Sequence, residues 1–283
     1  MNRAVIVGVD GSAPSLAAAA WAAETAVLTG APLRLLFVDT RRPGLDAPAG
    51  SYARNRAEAV RMLDRTVLDL RTRHPGLRAD VELLPGSTIA QLLAASADAT
   101  ALVLGSRGTD RFTRPAPGAT VQAVTARAQQ PVVLAPNRPA QRMTHRPQIV
   151  LALDPGRAVE TVVEFALSQA QARTLPLRVV HAWAPPALWV TWPIPPGEAE
   201  RATAEDHVEQ RLRDLVLPLA AKHPKVEVRF DTRTGEAAHV VVDEAGRADL
   251  LVLGRRRHTG ALGPVARAAI HRAACPIALV PHG

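Results

Sequence analysis

Residues 101–136, ALVLGSRGTDRFTRPAPGATVQAVTARAQQPVVLAP, decide how this chain is read. Ala101 to Leu104 is a short apolar run, and Gly105-Ser-Arg-Gly108 follows it. A polar loop leads to Gly118, and a helical pattern runs through Val121, Val124 and Ala128. Pro131 to Ala135 is a second apolar run, so the stretch reads as strand, glycine loop, helix, strand. Glycines in such a loop tolerate φ > 0 and let backbone N–H groups approach an anion. No Gly-Lys pair occurs in the chain, which excludes a P-loop, and no Gly-x-Gly occurs, which excludes the dinucleotide fingerprint. The spacing is Gly-x2-Gly-x9-Gly at Gly105, Gly108 and Gly118. Glycines that merely turn the chain at strand ends give the same pattern, so this stretch alone leaves both readings open.

Upstream, Arg3 to Val9 is apolar on both faces, as a central parallel strand should be. Asp10-Gly-Ser12 follows, with Ser12 placed to cap a helix and Pro14 in its first turn. That helix runs to about Leu28 and stops near Gly30. Leu33 to Val38 is a second strand, and Thr40 to Gly50 a Pro/Gly loop. A long helix from about Ser51 carries Val60, Leu63, Val67 and Leu70 on one face, and His74-Pro-Gly76 ends it. Ala79 to Leu84 is a third strand, and Ser87 caps the helix after it.

Downstream, Asn137 to Pro147 is polar, Pro-containing and aperiodic, and reads as a linker. The pattern then repeats. Gln148 to Leu153 matches the first strand, and Asp154 falls where Asp10 did. Gly156 to Arg173 reads as a helix, and Leu177 to Trp183 (LRVVHAW) repeats LRLLFVD. A long helix through Val208, Leu212, Leu215 and Leu219 is expected to end or kink at Pro218. Val226 to Phe230 is a third strand, with Gly235 placed as Gly86 was. Asp249 to Leu253 repeats ALVL and ends at Gly254, and Pro276 to Val280 repeats PVVLA. This is an internal duplication of two β-α-β-α-β-α-β-α-β copies. The fold class is α/β, with two tandem Rossmann-like doubly wound domains expected at 1–140 and 146–283. Each would hold a five-stranded parallel sheet of order 3-2-1-4-5 with helices on both faces. In such a sheet ligands bind beyond the carboxyl ends of the strands at the switch point, between strands one and four. Asp10 and Gly105 should therefore face one crevice.

The 283 residues are poor in aromatics, so Ala, Val and Leu fill the core. No apolar run reaches the roughly 20 residues of a membrane span. The first apolar run, Ala4 to Val9, is short and ends at Asp10, so no signal peptide is expected. Cys275 is the only cysteine, which excludes an internal disulfide and fits a cytoplasmic location. The net charge of +8 comes almost wholly from Arg, Lys222 and Lys225 being the only lysines. No zinc-finger spacing, basic heptad or aromatic-plus-basic strip is visible, so no nucleic-acid partner is expected.

These residues resemble the universal stress protein family in its tandem-domain form, over nearly the whole chain. VIVGVDGS, the strand ending in Val38 and the Gly105/Gly108/Gly118 motif fit its ATP-binding subgroup. The resemblance implies ATP in the first domain. The site would comprise Gly8, Val9 and Asp10 near the nucleoside, and backbone around Val38 at the adenine edge. Leu104, Gly105, Arg107, Gly108, Gly118, Ala119 and Thr120 would surround ribose and phosphates. A divalent cation, Mg²⁺ or Mn²⁺, would bridge phosphates, though no carboxylate cluster marks its place. It also implies domain pairing through last strands, with a homodimer through domain faces or edge strands and a further protein partner.

This chain departs from that pattern in three places. Ala119 stands where the family carries Ser or Thr, with Thr120 next in line to supply the hydroxyl. In the second copy Arg257 stands at the second glycine position and Arg267 near the third, and Asp154-Pro155 replaces Asp10-Gly11. The second domain is therefore expected to be degenerate. Arg255, Arg256, Arg257 and Arg267 read as a solvated surface patch, with an anion site as the alternative. Two further readings compete with an ATP-binding regulator: a nucleotide-free interaction module with both sites degenerate, and a slow ATP hydrolase or nucleotidyl transferase. His271 and Cys275 are too few ligands for a metal site, and Cys275 reads as a small buried residue. His181 reads as a satisfied interior histidine, and Trp183, Trp189 and Trp192 as a loop cluster.

Overall fold

The computed structural model describes residues 3–41, 49–106, 118–137, 146–156, 160–183, 198–257 and 261–283. Its contacts divide the chain into Met1–Gln141 with Thr259–Ala261, and Arg142–His258 with Leu262–Gly283.

The first unit runs β1 (Val5–Gly8), α1 (Ala13–Thr29), β2 (Leu33–Asp39), α2 (Ala49–Arg73), β3 (Ala79–Pro85), α3 (Thr88–Ser96), β4 (Ala101–Ser106), α4 (Ala119–Arg127) and β5 (Val132–Pro136). The strands are parallel in the order β3-β2-β1-β4-β5, with Val5 in register with Leu33 on one side and Ala101 on the other. Helices α1 and α2 touch each other, as do α3 and α4, which is the pairing of a sheet covered on both faces. Small side chains make this packing close. Ala18, Ala19, Ala22, Ala23 and Ala26 of α1 are fully buried. Ser12 caps α1 through its hydroxyl, which accepts from Ser15 N at 3.4 Å. Gly30, at φ 65°, closes its other end by donating to the Ala26 and Val27 carbonyls.

The second unit repeats the plan: β6 (Ile149–Ala152), α5 (Glu160–Arg173), β7 (Leu177–Trp183), α6 (Glu198–Ala220), β8 (Val228–Thr234), α7 (Ala237–Ala245), β9 (Leu250–Arg256), α8 (Pro264–Arg272) and β10 (Ile277–His282). The parallel order is β8-β7-β6-β9-β10, and Ile149 is in register with Leu177 and Leu250 as Val5 is with Leu33 and Ala101. The expected α/β class and the 3-2-1-4-5 order therefore hold in each unit.

Several local expectations need correction. Strand β4 runs one residue past Gly105 to Ser106, pairing Gly105 with Ala135 and Ser106 with Pro136. Gly156 starts no helix. It lies in a turn, donating to Asp154 Oδ1 at 3.1 Å. Val226 belongs to the turn before β8, because its N–H donates to the His223 carbonyl. Pro218 does not end α6 at once, since the helix runs on two residues to Ala220. It sits in the last turn, and the ladder resumes with Ala221 N to Leu217 O at 3.0 Å, so only one hydrogen bond is forgone.

One face of the second sheet carries a charge network around the buried Glu244. Arg178 on β7 pairs with Asp231 on β8 and, at 2.5 Å, with Glu244 on α7. Arg247 and Arg233 add to Glu244 from 3.3 and 3.6 Å. At the matching position of the first unit Arg34 meets Glu82 at 3.4 Å in an exposed pair.

Candidate functional site

Strand β1 delivers the chain to a turn that builds one wall of the site. Val9 N donates to Leu36 O at 2.9 Å, extending the ladder past Gly8. Gly11 then takes φ 82°, a conformation a side chain resists, and the chain folds back on itself. Ser12 N donates to Asp10 Oδ1 at 2.9 Å, Asp10 N donates to Ser15 Oγ at 3.2 Å, and Ser15 Oγ donates to Ser12 O at 2.9 Å. Partial burial alone would push the Asp10 carboxyl up. Hydrogen bonds from Ser12 and Ser15 outweigh it and hold Asp10 below the usual carboxylate value, hence ionised at neutral pH.

The opposite wall is the start of α4. Gly118 occupies its N-cap and offers no side chain, and the first intrahelical bond is Gln122 N to Gly118 O. The N–H groups of Ala119, Thr120 and Val121 therefore have no intrahelical partner. No acidic residue lies in that first turn.

Between these walls lies a cavity of about 570 Å³. Of the expected site residues, Gly8, Val9, Asp10, Val38, Leu104, Gly105, Gly118 and Thr120 line it. Ala119 is not among them and is exposed, so Thr120 is the residue of this pair that brings a hydroxyl to the cavity. Arg107 and Gly108 lie outside the described residues. Gly105 has a different reason to be glycine than a left-handed turn, for its φ is not positive. A Cβ there would stand 2.5 Å from the Pro14 carbonyl and 2.8 Å from Ser15 N, so its absence lets α1 lie on β4.

Sequence reading missed other lining residues. Ser12, visible as a helix cap, and Ser15, which carried no signal of its own, both line the cavity. Thr88 opens α3 two residues after Gly86, which has φ 112°, at the carboxyl end of β3. The rule that crossover loops at that end of the sheet face the crevice would have found it. Leu36, Phe37 and Leu92 supply apolar surface. Next to Val38, Asp39 is 3 % exposed and accepts from Arg41 N at 3.2 Å and Arg41 Nε at 2.9 Å. Burial raises its pKa, but the Arg41 hydrogen bonds and charge, with Arg56, bring the net shift below the usual value.

The second unit keeps the frame and, among the described residues, lacks the matching hydroxyls. Asp154 forms the same turn as Asp10. The third glycine is Gly263, not a position near Arg267. Gly263 N-caps α8, and Arg267 N donates to its carbonyl at 3.0 Å, as Gln122 N does to Gly118. The connection is four residues shorter than in the first unit, 254–263 against 105–118, so fixed spacing pointed past it. Where the first unit has Ser12, Thr88 and Thr120, the register places Gly156, Ala237 and Val265. Pro264 at the first position of α8 removes one backbone donor. A Cβ at Gly254 would lie 2.9 Å from the His282 ring. The arginines are not one solvated patch. Arg256, Arg257 and Arg267 are exposed, but Arg255 is 3 % exposed, and desolvation, with Arg257 nearby, lowers its pKa.

Other expectations resolve simply. His181 Nδ1 lies 2.8 Å from Leu153 O on a partly buried side chain. Trp183 is buried at the end of β7, and Trp189 and Trp192 lie outside the described residues. Cys275 is buried, with its thiol pushed up to about 12 by desolvation, and His271 is exposed. Among the described residues no group of three His, Cys, Asp or Glu is placed to hold a metal. Nor is any helix there long and apolar enough to cross a membrane.

Comparison with known proteins fits this architecture. The model of the universal stress protein family matches residues 1–136 and again 145–281. A universal stress protein of Mycolicibacterium smegmatis is 27 % identical over 98 % of this chain and 96 % of its own. One from Mycobacterium tuberculosis is 28 % identical over 89 % and 85 %. The crystal structure of a universal stress protein from Archaeoglobus fulgidus superposes with a TM-score of 0.74 at 16 % identity, covering 99 % of this chain and 98 % of that one, a likeness of fold. With the family model matched by each half in turn, the chain belongs to the universal stress protein family as a tandem two-domain member.

Proposed function

We propose that the first unit binds ATP in the cavity between the Asp10 turn and the start of α4, and that the protein is a cytoplasmic stress-response regulator. One observation carries the reading. A single cavity is faced by an ionised carboxylate, the carboxyl end of β2, and the first turn of a helix that has neither a side-chain cap nor an acidic residue. Backbone N–H groups at such a helix start favour phosphate oxygens, and the Thr120 hydroxyl adds a donor. Asp10 accepts from ribose or base donors, and Leu36, Phe37 and Leu92 shield the base from water. The volume is that of an ordinary ligand pocket. A divalent cation, Mg²⁺ or Mn²⁺, would enter with the phosphates, since the described residues offer no ligand cluster for it. Ligand binding would act by linkage, stabilising the ligand-bound state and shifting partner choice.

Asp10 is the only ionisable side chain among the described lining residues. Held below its usual pKa, it is a weak base, which supports a binding role over rapid phosphoryl transfer. A nucleotide-free reading has one observation in its favour: the hydrogen bonds of Asp10, Ser12 and Ser15 close largely on one another. The test is thermal denaturation with ATP and Mg²⁺. The expected result is a rise in melting temperature that Asp10→Ala removes. No rise, and no nucleotide released from denatured purified protein, would favour the nucleotide-free module. ADP accumulating over hours, but not with Asp10→Ala, would favour a slow hydrolase.

A further inference from the structure

The turn that carries Asp10 and Ser12 is braced from outside the cavity by a methionine. A methyl group at Gly11 would lie 3.7 Å from Cγ and Cε of Met62 and 3.9 Å from its Sδ, so the thioether of α2 rests against the turn. Met62 is half-buried and does not line the cavity. Its sulfur lies 3.8 Å from Thr66 Oγ1, whose proton is already given to the Met62 carbonyl at 2.8 Å. Of the three methionines in the chain, it is the one among the described residues.

The duplication shows that this contact is part of the plan. Leu63 and Val67 of α2 correspond to Leu212 and Val216 of α6, which makes Arg211 the counterpart of Met62. Arg211 Nη2 reaches the carbonyl of Pro155, the counterpart of Gly11, at 3.4 Å. In both units the long helix touches the turn after the first strand with the same helical position. In the second unit the contact is polar. In the first it is apolar and oxidisable.

We propose that Met62 is a redox modification site that governs ligand binding in the first cavity, the oxidant being a hydroperoxide. A sulfur lone pair attacks the outer peroxide oxygen, the O–O bond breaks, and a proton goes to the departing oxygen. With hydrogen peroxide the thioether becomes a sulfoxide and the peroxide becomes water. The new S=O is a strong acceptor with added bulk, set against a turn that packs with a bare thioether. It displaces Gly11 and, through it, the neighbours that face the cavity, Asp10 and Ser12. Affinity falls without any change in a lining residue. A methionine sulfoxide reductase reverses the change.

The inference rests on the ATP reading of the cavity, and the experiment separates the two. Full-length protein is titrated with ATP by calorimetry before and after hydrogen peroxide, with oxidation of the Met62 peptide followed by mass spectrometry. Oxidation should weaken ATP binding roughly tenfold. Reductase treatment should restore it, and Met62→Leu, which keeps the volume without the sulfur, should bind ATP normally and ignore peroxide. If untreated protein binds no ATP, the proposed function falls and this proposal with it. If untreated protein binds but sulfoxidised Met62 leaves affinity unchanged, the redox proposal alone is overturned. Resistance of Met62 to peroxide, or an equal loss of affinity in peroxide-treated Met62→Leu, overturns it as well.

Discussion

Gly105 and Asp39 are single residues whose surroundings leave little choice. At Gly105 the atoms facing a would-be Cβ are backbone, the Pro14 carbonyl at 2.5 Å and Ser15 N at 2.8 Å, which no rotamer change can move. Gly105→Ala should therefore destabilise the protein by roughly 1–3 kcal/mol by forcing α1 off the sheet, read as a lower melting temperature without ligand. Asp39 is buried against Arg41 with a lowered pKa. A group whose folded pKa is depressed adds stability above its unfolded pKa and loses it as pH falls through the folded value. Wild type should thus lose stability below about pH 4, and Asp39→Asn should flatten that acid limb in melts taken across pH. Gly105 was legible in the sequence as a special glycine, but the reason was not. Strand-end glycines that permit φ > 0 and those that permit close approach have the same letter, and only the position of Pro14 separates them. Thr120 was legible as a neighbour of the expected hydroxyl position, while Thr88 by itself reads as an ordinary first-turn residue and is found only through its place after the third strand of the sheet.

At the scale of elements, the sheet and its helices were readable because the central strands are short apolar runs and the long helices carry apolar residues at helical spacing. Failures came at junctions, where hydrogen bonds decide: the turn at Val226, the turn at Gly156, and the shortened connection that moved the third glycine to Gly263. Charge partners across elements were also invisible. Nothing in LRLLFVD against LRVVHAW says that Arg34 stays exposed with one carboxylate while Arg178 is half-buried between two. The two sites should answer differently. Arg178→Met leaves Glu244, 3 % exposed, with only the more distant Arg247 and Arg233, and should cost roughly 3 kcal/mol in a denaturant titration. Arg34→Met should cost about 0.5 kcal/mol or less, as expected of a surface pair.

For the molecule as a whole, duplication was the most legible feature and asymmetry the next. Both units keep the aspartate turn, but among the described residues Gly156, Ala237 and Val265 of the second stand where the first has the hydroxyls of Ser12, Thr88 and Thr120. On the proposed reading one ATP binds per chain. Calorimetry should give a stoichiometry near one for wild type and for Asp154→Ala, with binding abolished by Asp10→Ala. Two equivalent sites would refute the asymmetry. The second unit has a different use for the experimenter. Cys275, the only thiol in the chain, is shut in beside β10 and held as a neutral thiol by a pKa of about 12. A maleimide can reach it only when that half breathes, so the native protein should label slowly and the denatured protein at once. The rate of mass gain then clocks the opening of the C-terminal half, with no engineered probe, whatever the N-terminal half is binding.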